Sequence, residues 1–163
     1  MPVAALETEI GWVEVTADGD AITHLFWRGT KPARLAASPL VKEAQKQLKA
    51  YFAGKLRNFD LPIKADGTEF SRAVWREMLA IPYGETLTYG DVAAKLGREG
   101  YEMDPHLVDP RAVGQACGQN PIAVIIPCHR ITGTNWLGGY SSELGLKAKR
   151  YLLDLERGQG RLF

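Results

Sequence analysis

Cys128, His129 and Arg130 stand side by side in the stretch NPIAVIIPCHRITG, directly after a nearly continuous apolar run. A thiol beside an imidazole and a guanidinium sits where its pKa can be lowered, and the thiolate is the form that attacks carbon or binds a metal. Successive side chains on a strand point to opposite faces, however. Cys128 and His129 could therefore cooperate only if Pro127 breaks the strand or a water bridges the two groups. Taken alone, the commoner reading is a buried cysteine followed by surface residues, since free cysteine is often just a small core hydrophobe.

The remaining residues of this chemistry are scattered. Cys117 lies between Ala116 and Gly118 and reads as packing; two cysteines are too few for a disulfide framework, and a reducing compartment would keep both as thiols. His24 falls in a strand and His106 in a connection, neither with a cysteine-histidine cluster around it. Residues 1–67 hold a single histidine and no cysteine, short of the four ligands of a structural zinc, so no metal site is expected. No glycine-rich nucleotide fingerprint is present, so no organic cofactor is implied.

The elements that must position the thiol can be read from periodicity. IGWVEVTADGDAITHLFW predicts two paired strands, Ile10–Thr16 and Ala21–Trp27, around an Asp-Gly turn. Ser38 and Pro39 read as the cap and first residue of a helix carrying Leu40, Ala44, Leu48, Tyr51 and Phe52, stopped by Gly54. NFDLPIKADG supplies a short strand and a polar break, which places a domain boundary near Asp66 and Gly67, giving residues 1–66 and 67–163.

Beyond it, Phe70, Val74, Met78 and Leu79 form a helical stripe. Thr88 and Asp91 resemble a capping box before Val92, Ala93 and Leu96, closed by Gly97, and Asp109 and Pro110 open a helix RAVGQACG. Two short helices before NPIAVII, read as a buried strand, suggest a helix-turn-helix, although REGYEMDPHLVD is long for its turn. A last helix is expected over Lys147 to Arg157, its basic KAKR stretch read as a solvated face.

At 163 residues, 45% hydrophobic and 24% charged, the chain has enough apolar material for a real core. A formal net charge of +1 gives no global footprint for nucleic acid, though it leaves a local basic face open. No apolar run is long enough to span a membrane, and MPVAALETEI lacks the basic start of a secretory signal; cytoplasmic residence is the expectation.

From about Phe70 to Glu156 the ordered motifs IPYGETLTYGDVA, RAVGQA, NPIAVII, PCHR, LGGY and KRYLLDLE strongly resemble the O6-alkylguanine-DNA alkyltransferases. The resemblance implies an α/β (α+β) chain, a small N-terminal sheet-and-helix domain followed by a mainly helical, winged helix-turn-helix-like domain that binds DNA and carries the chemistry. It implies DNA repair by irreversible transfer of an alkyl group from O6-alkylguanine to the Cys128 thiol, one per chain. His129 would be the base acting through water, Glu156 its orienting acid, Tyr89 a hydrogen-bond donor to the departing base, and Asn120 the hinge asparagine.

An alkylated O6 lies inside the duplex, so the nucleotide must be flipped out. Arg111 would take its place in the stack, and Ala112, Gly114 and Ala116 would let their helix approach the minor groove, with Arg130 also placed on the DNA side. Gly138, Tyr140 and Ser141 would face the flipped base. The expected partner is duplex DNA carrying O6-alkylguanine, with O4-alkylthymine left open, and the expected state is a monomer. Three departures stand out: the long acidic connection with Glu99, Glu102 and Asp104, Trp136 in an unusual setting after the cysteine, and SSELGLK in place of a shorter glycine-containing turn. Two rival functions are a lesion-binding relative that flips guanine without reacting, from which the cysteine is missing, and a thiol hydrolase using Cys128 and His129.

Overall fold

The computed structural model describes residues 1–100 and 109–158. Glu102, Asp104 and His106, which the sequence puts in the long connection, lie outside the described residues.

Three antiparallel strands open the chain in the order β1 (Val3–Thr8), β2 (Gly11–Asp18) and β3 (Ala21–Arg28). The expected hairpin is present, turning at Gly19 with φ +61, a left-handed value that glycine adopts without Cβ strain. The first strand was not anticipated, because Val3-Ala4-Ala5 is alanine-rich and alanine is depleted in strands. Helix α1 (Pro39–Phe52) covers the sheet with Val41, Ala44, Leu48 and Tyr51 inward. Its N-cap is Ser38, whose side chain accepts a hydrogen bond from the Val41 N–H at 3.3 Å.

Two expected strands are single bridges instead. Ile22 exchanges backbone hydrogen bonds with Pro62 and Lys64, and Leu25 does so with Pro121 and Ala123. These segments cover the free edge of β3 rather than extending the sheet. NPIAVII is thus a series of turns, with Val124 at φ +71, a conformation a β-branched residue adopts only under strain of roughly 1–3 kcal/mol.

The second half packs α2 (Glu69–Leu79), α3 (Tyr89–Arg98), α4 (Pro110–Gly118) and α5 (Gly145–Arg157) around a two-stranded parallel ribbon, β4 (Leu87–Thr88) with β5 (Ile131–Thr132). The buried stripe of α2 is Ser71, Val74, Trp75 and Met78, rotated from the expected one, and Leu79 faces outward at 47% exposure. The Thr88/Asp91 capping box opens α3, and Asp109 caps α4 by accepting from the Ala112 N–H at 3.0 Å. Trp75 locks α2 to α4 by donating to the Ala116 carbonyl at 2.9 Å. Among the described residues no helix is long and apolar enough to cross a membrane.

Candidate active site

Pro127 ends the turns, and Cys128–Arg130 form one turn of 3-10 helix rather than a strand end. That local geometry removes the alternation that would separate neighbouring side chains, and it delivers Cys128, His129 and Arg130 into buried surroundings together. Asn120 braces the turn from both sides: its Nδ2 donates to the Ile126 carbonyl at 2.8 Å, and its Oδ1 accepts from the Ile122 N–H at 2.9 Å. It also hydrogen-bonds the Cys128 side chain. The strained Val124 is held inside this brace.

Behind the cysteine, the Glu156 carboxylate on α5 gathers five donors. Oε2 accepts from His129 Nε2 at 2.7 Å, from Arg130 Nη2 at 3.0 Å and from the Tyr51 hydroxyl; Oε1 accepts from Arg130 Nε at 2.9 Å and the Gly84 N–H at 3.2 Å. Burial alone would raise this carboxyl. The hydrogen bonds from His129, Arg130 and Tyr51 and the neighbouring charge outweigh it and hold Glu156 well below the usual carboxylate range. An ionised carboxylate only accepts, so Nε2 of His129 must carry a proton.

Burial pushes His129 below its ordinary pKa, against the opposing pull of Glu156, so the ring is neutral at pH 7. Its Nδ1 is then an unprotonated lone pair, buried and without a hydrogen-bond partner among the described residues. A base is left poised, with its tautomer set from behind.

Two expectations about charge are corrected here. Arg130 is not displayed on the surface: it is buried, chelating Glu156 and donating Nη1 to the Ile81 carbonyl at 2.7 Å. The Cys128 thiol is raised, not lowered, because burial outweighs the Asn120 hydrogen bond and the positive charge of Lys149. The thiol therefore keeps its proton in the free protein.

Lys149 was missed, its KAKR stretch having read as a solvated face. It is fully buried, with Nζ donating to the carbonyls of Ile131 at 2.7 Å and Gly139 at 3.0 Å and lying 5.7 Å from the Tyr89 ring centroid. Burial lowers its pKa, and negative charge on the Cys128 or Cys117 sulfur would oppose that shift. Its spacing could have revealed it, since Lys149, Leu152, Leu153 and Glu156 share one helical face.

Cys128 lies at the floor of a cavity of about 500 Å³, whose lining includes Tyr89, Arg111, Gly114, Trp136, Tyr140 and Ser141. Tyr89, raised by burial and so protonated, accepts from the Gly139 N–H at 3.3 Å, which leaves its own O–H free to donate into the cavity. Gly138, at φ +83, lets the backbone pass directly beside the Tyr89 hydroxyl, where a β-carbon would collide. Tyr140 is fixed by Trp27 of β3, whose Nε1 donates to its hydroxyl at 3.1 Å. On α4, Arg111 is 91% exposed at the mouth and bound only loosely to Asp109 at 3.4 Å. Gly114 faces Tyr89, Ala112 is half-buried and Ala116 packs into the core, so Ala116 is removed from the helix's outward face.

A buried thiol beneath a helix-lined mouth, in a mixed sheet-and-helix chain, defines a protein built around a cavity-floor cysteine, and comparison supplies the particular group. Residues 3–65 match the family model described as 6-O-methylguanine DNA methyltransferase, ribonuclease-like domain, and residues 69–158 the DNA binding domain of the same proteins. The chain belongs to the 6-O-methylguanine DNA methyltransferase family.

It is 40% identical over 163 residues to the methylated-DNA--protein-cysteine methyltransferase of Methanosarcina acetivorans, covering 96% of this chain and 98% of that one. It is 39% identical over 160 residues to that of Mycobacterium tuberculosis, covering 94% and 91%. The crystal structure of Mycobacterium tuberculosis OGT in complex with DNA superposes with a TM-score of 0.80 at 38% identity, covering 98% of this chain and 94% of that one.

Proposed function

We propose that this protein repairs O6-alkylguanine in duplex DNA by moving the alkyl group onto the sulfur of Cys128, once per chain. The observation that carries the reading is a thiol on the floor of a cavity, with a tautomer-locked base behind it and a free O–H donor beside it. α4 would lie in the minor groove, with Arg111 replacing the flipped nucleotide in the stack. Ala112 and Gly114 permit that approach. Tyr140 and Ser141 would line the walls around the base.

Once the purine enters, Nδ1 of His129 takes the thiol proton through a bridging water, and Lys149 stabilises the thiolate by its charge. Sulfur then attacks the alkyl carbon, the S–C bond forms as the C–O6 bond breaks, the Tyr89 O–H offsets the charge developing on the departing guanine, and that guanine leaves neutral by taking up one proton, equal to the one His129 removed from the thiol. Glu156 and Arg130 position His129 without touching substrate, and Asn120 positions Cys128. The product is a thioether with no ionisable proton and a poor leaving group, so the chain is consumed.

A division at residues 66 and 67 is supported by the two family matches, which end at 65 and begin at 69. The reading further places the protein as a monomer in a reducing, DNA-bearing compartment such as the cytoplasm, where Cys128 stays a thiol. Incubation with excess O6-methylguanine duplex and intact-mass analysis tests it: one methyl per chain, mapped to Cys128 and absent in Cys128→Ala, is expected. Multiple turnovers, or a methyl on Cys117, would refute it.

A further inference from the structure

Trp136 has the highest fractional exposure among the large hydrophobic side chains of the described residues, 66%, and it lines the cavity that holds Cys128. The other three tryptophans have structural tasks. Trp27 and Trp75 are buried and hydrogen-bonded, and Trp12 lies on the sheet beneath Lys31. Trp136 is nonetheless seated: its indole lies so close against Gly133 that a β-carbon there would overlap the ring nitrogen. A bare backbone thus supports the indole where the ring would otherwise be forced away. Arg111 of α4 belongs to the same lining and is freely exposed.

Resting on the function proposed above, we infer that Trp136 is the platform on which the extruded purine stacks as it enters the cavity. The direction of entry selects the purine as the occupant. The O6 substituent must reach Cys128, a nearly buried floor residue at 8% exposure, so the trailing part of the base is left toward the exposed rim. An indole there offers a large π-face that the fold leaves uncovered, and every base has a π-face to match it. Stacking of this kind is sequence-tolerant and acts on the flipped state alone, so it favours extrusion without reading the flanking bases.

The test uses the full chain with two substrates, free O6-methylguanine base and a duplex carrying it. Trp136→Ala should weaken apparent affinity for both by about 5- to 150-fold, with the loss in half-saturating concentration rather than in limiting rate. Trp136→Phe should recover most of it, while Gly133→Ala, which displaces the indole without removing it, should lose affinity in the same sense. In a Cys128→Ser background, free O6-methylguanine should quench tryptophan fluorescence, and adding Trp136→Phe should abolish the quench. Wild-type alkylation with an unchanged Trp136→Ala reaction on the free base would overturn the platform, as would a loss confined to duplex. Failure of the wild-type chain to become alkylated would instead overturn the function beneath it.

Discussion

Glu156→Gln is nearly isosteric, yet the structure predicts a large double effect. An amide keeps one acceptor oxygen and brings one N–H₂ group, which must face donors whichever way it turns. On the Oε2 side it meets His129 Nε2, the Tyr51 hydroxyl and Arg130 Nη2; on the Oε1 side it meets Arg130 Nε and the Gly84 N–H. Arg130 is buried and loses its counter-charge in both cases. Removing one partner of a buried pair costs about 3–5 kcal/mol, and the retained oxygen puts the expected loss near the lower end. Against a total of about 5–15 kcal/mol for a typical domain, that is a large fraction.

The rate should suffer separately. Without the carboxylate's charge the His129 imidazolium is no longer stabilised, and with the NH₂ group on the Oε2 side the proton on Nε2 also loses its acceptor, so the contribution of a general base, about 10²–10⁴-fold, is at risk. Single-turnover methyl transfer read by intact mass, beside urea unfolding of the same sample, separates the two effects. A rate within threefold of wild type together with an unchanged unfolding midpoint would refute the role of Glu156 as the hub of this network.

Arg111→Ala should slow transfer on duplex far more than on the free modified base, which needs no extrusion; equal slowing on both would remove Arg111 from flipping. Lys149→Met should slow transfer at neutral pH at least about 10-fold and move the pH dependence of Cys128 alkylation by iodoacetamide upward, because burial already raises this thiol and Lys149 opposes that rise. An unmoved iodoacetamide profile would refute the electrostatic role. Since the folded carboxyl of Glu156 is depressed, its contribution to stability is complete above the ordinary glutamate value and lost as pH falls below about 4.3. Urea midpoints that fall from pH 4.5 downward in wild type, and much less so in Glu156→Gln, are the expected outcome.

What the sequence revealed and what it hid divide along physical lines. Caps at Ser38, Thr88 and Asp109 were legible because a cap is a local bargain between one side chain and backbone N–H groups two or three residues on. The run NPIAVII was misread because apolar continuity cannot separate a buried strand from buried turns, and nothing local announces a valine at positive φ. Arg130 was misplaced for a different reason: its partner, Glu156, is 26 residues away, and only the fold brings them together. The hydroxyl of Tyr51 was invisible in the same way. Its ring fitted the α1 stripe, while its hydrogen bond crosses 105 residues to Glu156.

These long-range contacts bear on why the reactive half needs the sheet at all. Cys128, His129, Glu156 and Tyr89 lie beyond residue 67, yet both the floor and a wall of the cavity are indexed by β3. Leu25 pairs through its backbone with Pro121 and Ala123, inside the Asn120 turn that leads to Cys128. Trp27, two residues on and on the same face, holds the Tyr140 hydroxyl. The interval between them along a strand is roughly 6.6 Å at 3.3 Å per residue, so one rigid element sets the spacing of the cysteine turn and the cavity wall. Slipping β3 by one residue would turn Trp27 outward and uncouple both. Because α1 supplies Tyr51 to the Glu156 hub as well, the N-terminal half sets the position of the floor, the wall and the base together, and the precision of the reaction depends on a sheet that never touches the alkyl group.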